Sequence, residues 1–274
     1  MKVKFYGTRG SIPVPEPQCM AFGGNTTCVR LTLSSGHVVI FDAGTGIRQL
    51  GKDLIASSHE QFESIPIVLS HTHWDHIQGF PFFRPAYDPH RNFLIAICGV
   101  DRVGDDLESL FKAQMQEEFF PVPLDQMGAK FAFWQPDLTE YTGELGNDWR
   151  PLRHSHPGGA YSYRLREGDK TLVYCTDIEH GDELDERVVE LARGADLLIH
   201  DAQYTPAELK DKRGWGHSSW EQAIEVAERA GVKQLAMVHH DPEHDDHFLA
   251  SMEEECQREF AECFMAREGQ EIEL

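Results

Sequence analysis

The chain has 274 residues, 41% of them hydrophobic, and carries 25 basic against 46 acidic side chains for a formal net charge of −21. This is enough apolar content to bury a full core in one α/β domain, and it excludes a disordered, collagen-like or coiled-coil chain. The charge also disfavours an extended nucleic acid, whose binders present a basic face, and no apolar run approaches the roughly 18–20 residues of a membrane span.

Taken in chain order, the N-terminus Met1-Lys2-Val3-Lys4-Phe5-Tyr6-Gly7 has basic residues with no apolar stretch behind them. No secretory signal is read there, and a cytoplasmic protein is expected. Short β-branched or apolar runs predict strands at Val3–Tyr6, Thr27–Leu33, His37–Phe41, Ile65–Leu69, Phe93–Ile97, Tyr161–Leu165, Thr171–Tyr174, Leu197–His200 and Leu235–Val238. Apolar residues recur at helical spacing in Leu107, Leu110, Phe111 and Met115, and again in Leu184, Val188 and Leu191. Ser218 and Glu221 read as a capping box ahead of a helix that Gly231 ends, and a last helix is expected over about His247 to Met265. The early strands follow one another closely and the later ones alternate with helices, so a single domain over 1–274 is expected. Residues about 99–150 are the least regular and are a candidate cap over the site. The six cysteines form no CxxC pair and are expected as free thiols, with Cys98 and Cys175 in the core.

The chemistry concentrates in His71-Thr72-His73-Trp74-Asp75-His76, directly after the apolar strand Ile67-Val68-Leu69. Imidazole and carboxylate are the ligands of zinc and other first-row divalent ions. A turn leaving a strand end can aim His71 and His73 at one ion and fold Asp75 and His76 toward a second. Two ions need more ligands, and the candidates again stand at strand edges: His156 before Pro157-Gly158-Gly159, Asp177 after Thr171–Cys175, and His239 after Leu235–Val238. Strand ends of one sheet converge in space. His154 competes with His156, and His180 is as compatible with the surface as with the site. His200 is a candidate for a supporting position beside Asp201. His240, His244 and His247 lie in an acidic stretch expected to be a solvated loop. Trp74, Phe80, Phe82, Phe83 and Tyr87 can stack on a nucleobase, although core packing is the commoner role for such a group.

The hexapeptide resembles the HxHxDH signature of the metallo-β-lactamase superfamily, and His156, Asp177 and His239 match its remaining ligand positions in order. The likeness runs from Gly7-Thr8-Arg9-Gly10-Ser11 to His239. It implies a four-layer αββα sandwich with the site at one sheet edge. By this resemblance His71, His73 and His156 bind a first metal, Asp75, His76 and His239 a second, and Asp177 bridges both. An aspartate at the bridging position, where dinuclear β-lactamases usually carry cysteine, disfavours antibiotic hydrolysis. Leu197–Ala202 followed by Gly216-His217-Ser218-Ser219 resembles the tRNase Z and phosphodiesterase branch, as do Gly23–Thr27 and Asp42–Gly46. Phosphonate-pathway cyclic phosphodiesterases share much of this pattern. Asp201 stands where that branch has glutamate, one methylene shorter, beside the candidate partner His217.

The implied activity is hydrolysis by a metal-bridging hydroxide held between two divalent ions about 3.5–4 Å apart. Zinc is the default, with manganese or iron as alternatives. Asp75 would orient or deprotonate the nucleophile, and His217 would hold the phosphoryl oxygen or protonate the leaving group, with Asp201 fixing its tautomer. A phosphodiesterase acting on a small, cyclic phosphodiester such as a cyclic nucleotide is the leading expectation. A nuclease of the tRNase Z type, a thioester or lactone hydrolase, and a non-enzymatic metal-binding or nucleotide-sensing scaffold are the alternatives. The nuclease would need a basic flexible arm, and no Gly/Pro- and Lys-rich insertion is present in the sequence. A homo-oligomer is compatible with the sequence.

Overall fold

The structure, a computed structural model, describes residues 1–57, 64–98, 106–136 and 148–274. In chain order the described elements are β1 (Lys2–Gly7), β2 (Cys28–Thr32), β3 (Val38–Phe41), α1 (Ile47–Ala56), β4 (Ile65–Val68), the single turn α2 (Trp74–Ile77), β5 (Asn92–Ala96), α3 (Leu107–Gln114) and β6 (Lys130–Trp134). They continue with β7 (Asp148–His154), β8 (Ala160–Glu167), β9 (Lys170–Cys175), α4 (Glu186–Ala192), β10 (Leu197–Asp201), α5 (Pro206–Asp211), α6 (Trp220–Ala230), β11 (Gln234–Val238), α7 (Asp246–Glu259), β12 (Cys263–Met265) and β13 (Glu271–Glu273).

The strands form two sheets, ordered β13-β1-β2-β3-β4-β5-β6 and β12-β11-β10-β9-β8-β7. Each joins a run of antiparallel pairs to a run of parallel ones: β3 to β6 are parallel in the first sheet, β9 to β12 in the second. The two-residue alternation of a strand explains how they stack. Leu172 and Tyr174 of β9, Leu197 and Ile199 of β10, and Ala236 and Val238 of β11 face one core, shared with Val29, Leu31, Val39 and Phe41 of the first sheet. Their sequence neighbours Val173, Cys175, Leu198, Leu235 and Met237 face a second core, built with Val188, Ile224, Ala227 and Leu249 of the helices. α1 and α3 cover the outer side of the first sheet through Ile47, Leu50, Leu54 and Phe111. The four layers are helix, sheet, sheet, helix, which is the expected αββα sandwich.

All nine predicted strands are present. Among the described residues four more were not predicted: β6, the edge strand β7 and the short β12 and β13. The predicted last helix stops at Glu259, because Cys263–Met265 leaves it to pair with β11. The capping box before α6 sits one residue further on: Ser219 and Gln222 make the reciprocal bonds, and Gly231 ends the helix in the left-handed region at φ 64°. The candidate cap falls partly on 99–105 and 137–147, outside the described residues. Its described part holds α3 and β6, with β6 paired to β5 as the edge of the first sheet. The six cysteines are free and buried. Among the described residues no helix is long and apolar enough to cross a membrane.

Candidate metal centre

The parallel halves of both sheets bring their carboxyl ends to one edge, where α/β proteins place their sites. Among the described residues four non-glycine residues adopt positive φ: Asp42 (58°), Asp177 (56°) and His239 (64°) lie within two residues of a strand end there, and Ser11 (63°) sits in the loop that meets Asp75. A left-handed backbone costs such residues free energy and persists where the surroundings over-determine it. Arg9 is part of that surrounding. Its buried guanidinium donates to the carbonyls of Gly23, Asp241 and His244, tying together the loops on either side of His239.

After β4 the chain leaves the sheet through Leu69 and Ser70. His71 and His76 are completely buried, and Asp75 nearly so, in the first turn of α2. His73 Nδ1 lies 3.0 Å from His156 Nε2, and their rings stand beside His71 at centroid distances of 4.5 and 4.6 Å. Asp75 Oδ2 lies 3.1 Å from His239 Nε2 and 3.3 Å from His76 Nε2. Asp177 stands between the two sets. Its Oδ1 is 3.2 Å from His76 Nε2, while its Oδ2 is 3.3 Å from His239 Nε2, 3.6 Å from His71 Nε2 and 3.9 Å from His156 Nε2. The ligand atoms of His71, His73 and His156 lie mutually close, as do those of Asp75, His76, Asp177 and His239.

These residues fit a metal pair. His71 Nε2 and His76 Nε2 are buried with no hydrogen-bond partner among the described residues, an arrangement that is costly unless something else satisfies the atom. A tetrahedral ion bound at 2.0–2.1 Å separates its ligand atoms by about 3.3 Å, within the 3.0–3.9 Å span of the separations above. The other ring nitrogens are held so that the inward ones carry lone pairs. His76 Nδ1–H donates to Asp42 Oδ2 at 2.9 Å, His156 Nδ1–H to the Gly216 carbonyl at 2.8 Å, and His239 Nδ1–H to Gln203 Oε1 at 2.9 Å. Asp42 also accepts from Ser70 N, Ser70 Oγ and Tyr174 OH. Ser11 N donates to Asp75 Oδ2 at 2.8 Å.

The electrostatics agree with a cation site. Burial and the neighbouring imidazoles hold His71 well below the usual histidine range, and burial brings His156 down to about 4. Both rings are neutral at pH 7, the form in which imidazole can bind a metal. At His76 and His239 burial acts the same way, but the surrounding carboxylates, Asp177 foremost, outweigh it; His76 is raised well above its ordinary value and His239 to about 9. Burial opposes ionisation of Asp75 and Asp177, yet the imidazoles facing them hold both carboxyls below the usual range. Carboxylates that would keep protons on these two rings will accept a divalent ion in the protons' place.

The second feature is a histidine tethered to a buried carboxylate. His217 Nδ1 lies 2.8 Å from Asp201 Oδ2. Asp201 also accepts from the backbone N–H groups of Asp177, Gln203 and Ser218, so its shorter side chain still reaches His217. The His217 ring stacks on His239 at 4.7 Å and stands 5.3 Å from His156. It has a ligand-capable atom close to those of His156 and Asp177. The loop carrying it is pinned by Glu179, which accepts from Gly214 N and Gly216 N.

Other candidates sort by contact. His154 is buried two residues from His156 but belongs to none of the mutually close ligand groups. His180 is buried, not on the surface, and its Nε2 meets His200 Nε2 at 3.3 Å while His200 Nδ1–H donates to the Asp201 carbonyl. The expected solvated loop is corrected at two positions: His240 and His244 are buried, with His240 Nε2 bonded to the Ala266 carbonyl and His244 Nε2 to Glu208. Phe80 and Phe83 are core residues, whereas Trp74 and Phe82 are 63% and 57% exposed. Sequence reasoning did not single out Ser70, Gln203 or Trp215. Asp42 appeared only within a resembling segment; its signal is its place directly after a buried strand, the place shared by Asp177 and His239.

A sequence profile described as Beta-lactamase superfamily domain matches residues 37–240, most of the chain. Ribonuclease BN of Enterobacter sp. (strain 638) is 22% identical over an aligned length of 322, covering 99% of both chains. Among solved structures, the metallo-beta-lactamase fold protein YhfI from Bacillus subtilis superposes with a TM-score of 0.71 at 20% identity, covering 99% of each chain. A diphosphatase from the PhnP family superposes with a TM-score of 0.68 at 20% identity, covering 100% of this chain and 96% of that one.

Proposed function

The chain is a hydrolase of the metallo-β-lactamase superfamily, a member of the family whose domain spans residues 37–240, and on that premise we propose that it is a two-metal phosphodiesterase acting on a small, cyclic phosphodiester such as a cyclic nucleotide. His71, His73 and His156 would hold one ion and Asp75, His76 and His239 the other, with Asp177 between them. Zinc is the first choice for this imidazole-rich set, manganese or iron the alternatives. When bound, the ion pair supplies a water activated at neutral pH and stabilises charge developing on the phosphoryl oxygens.

The observation that carries the proposal is the His217–Asp201 pair beside that centre. A phosphodiester releases an alkoxide unless its leaving oxygen is protonated, and a positioned general acid contributes about 10²–10⁴-fold. Asp201 fixes the proton of His217 on Nδ1, which leaves Nε2 as the edge able to exchange a proton with substrate. Asp75, held by Ser11 N–H at 2.8 Å, would orient the nucleophile. Exposed Trp74, between ligands His73 and Asp75, and Trp215, next to Gly216, are 63% and 58% exposed. They offer faces for a planar base at the rim, and base–aromatic stacking contributes roughly 1–3 kcal/mol per base.

A second reading, cleavage of RNA, is supported by the relative named ribonuclease BN. The net charge of −21 favours the small substrate. The test is hydrolysis by metal-loaded protein of bis(p-nitrophenyl) phosphate, a panel of 2′,3′- and 3′,5′-cyclic nucleotides, and a precursor tRNA at physiological salt. Turnover of a cyclic nucleotide is expected; processing of the RNA with inert cyclic substrates would reverse the preference.

A further inference from the structure

We propose that Ser11 is a substrate-contacting residue of the metal centre, its hydroxyl donating to a phosphoryl oxygen of the substrate, a role that rests on the phosphodiesterase reading. Among the described residues four non-glycine residues hold a left-handed backbone, and in three the side chain shows why. Asp177 and His239 stand in the ligand set, and Asp42 orients His76 by accepting its Nδ1–H. Ser11, at φ 63°, is the fourth. Its backbone N–H donates to Asp75 Oδ2 at 2.8 Å, but its side chain is exposed and its hydroxyl makes no hydrogen bond among the described residues.

The backbone at Ser11 is both fixed and strained. Ile12 N–H donates to the Gly10 carbonyl at 2.7 Å, which makes Ser11 the central residue of a γ-turn. The form with positive φ is the rare and strained one. Gly10 is locked in place: its N–H donates to the His240 carbonyl, and its backbone lies against the His239 ring, where an added Cβ would meet Nδ1 at 2.3 Å. Glycine would hold the Ser11 conformation without strain, and eleven glycines of the described residues do take positive φ. The turn therefore has no need of a serine side chain. Strain kept at such a position is offset by what the side chain does.

Reach and chemistry name the ligand. Three covalent bonds separate the Ser11 nitrogen from Oγ, at most about 4 Å, so the hydroxyl stays beside Asp75, whose Oδ2 lies 3.1 Å from His239 Nε2. A hydroxyl bonds best to a charged oxygen. Asp75 is already engaged by the N–H of the turn, which leaves a non-bridging phosphoryl oxygen as the acceptor that arrives with substrate.

The probe is inorganic phosphate, titrated calorimetrically into zinc-loaded wild type, Ser11→Ala and Ser11→Gly. Zinc affinity, urea unfolding, and hydrolysis of bis(p-nitrophenyl) phosphate and the cyclic nucleotides are measured on the same proteins. Both variants keep the backbone N–H to Asp75, so zinc affinity should stay within about 3-fold of wild type, short of the 10-fold or greater loss that follows when a ligand's support is removed. Phosphate affinity and kcat/KM should each fall about 10-fold or more in both variants, the loss expected for a hydrogen bond to a charged group. Ser11→Gly, freed of the left-handed strain, should unfold at a higher urea concentration than Ser11→Ala; a more stable protein that binds phosphate less is not explained by a structural serine. Phosphate affinity equal to wild type in both variants would overturn the proposal, as would a wild type that binds no phosphate. So would a loss confined to nucleotide substrates, which moves the contact to sugar or base, or a loss of zinc as large as that of phosphate, which makes Ser11 a support of Asp75. Wild type that binds phosphate but cleaves no phosphodiester would end the phosphodiesterase reading, with the Ser11 contact still decided by the phosphate titration.

Discussion

Replacing Gly216 by alanine should cost the first metal position its third ligand. Gly216 sits at φ +93°, and a Cβ there would lie 2.7 Å from His156 Cε1 and closer still to Nδ1. Ordinary contact begins at 3.4 Å, so the ring must retreat by at least the difference between 2.7 and 3.4 Å, about 0.7 Å. Metal–nitrogen bonds tolerate about 0.2 Å. The left-handed backbone adds about 1–2 kcal/mol of strain, and the hydrogen bond from His156 Nδ1 to the Gly216 carbonyl is disturbed. Gly214→Ala is the matched control: it shares the loop, the bond to Glu179 and a positive φ of 84°, but nothing lies within 4 Å of its Cβ. Zinc affinity measured by chelator competition should fall 10–100-fold or more in Gly216→Ala and stay within about 3-fold of wild type in Gly214→Ala. Equal affinities for the two variants would refute the placement of His156 as a ligand held by this loop.

His217→Ala should slow hydrolysis of a substrate with an alkoxide leaving group by about 10²–10⁴-fold but a p-nitrophenyl ester far less, since p-nitrophenolate leaves unprotonated; an equal loss on both would remove the general-acid role. Asp42→Asn, which disturbs the acceptor of His76 Nδ1–H, Ser70 and Tyr174, should weaken metal binding about 10–100-fold with the circular dichroism spectrum retained. Trp74→Ala should raise KM for a cyclic nucleotide about 10-fold, leaving that for methyl p-nitrophenyl phosphate within about 2-fold; no difference would exclude stacking at this residue. His240 is held down to about 3 by burial, so the unfolded chain takes up its proton first as pH falls below about 6.5, and stability declines on acidification. The contribution lost between pH 7 and pH 5 is about 2 kcal/mol, read as a smaller acid-induced drop in urea unfolding free energy for His240→Asn than for wild type.

Much of this was legible in the sequence because short-range rules set it. The continuous apolar runs of β9, β10 and β11 follow from burial on both faces, whereas the ligand positions expected from strand ends of one sheet come from two: His71 follows β4 of the first sheet, and Asp177 and His239 follow β9 and β11 of the second. β6, β7, β12 and β13 were missed because their stability is not local: β7 is an edge strand with Pro151 and three charged residues among its seven, and β12 borrows its pairing from β11. The helix expected to reach Met265 ends early for the same reason. Asp42, Gln203 and the Gly216 carbonyl are contacts across 34, 36 and 60 residues, which spacing in a single sequence does not expose. The shorter Asp201 reaches His217 because backbone N–H groups from three segments seat its carboxylate, which only the folded chain reveals.

The central claim is that seven side chains hold two ions that act together on a phosphodiester. Metal-free protein titrated with zinc, with bound metal determined by mass spectrometry and hydrolysis of a phosphodiester followed at each step, tests it directly. Two ions per chain are predicted, with activity rising to its maximum only as the second equivalent binds and both ions weakened in Asp177→Ala. Full activity at one equivalent, or two bound ions with no phosphodiester cleaved across the substrate panel, would contradict it.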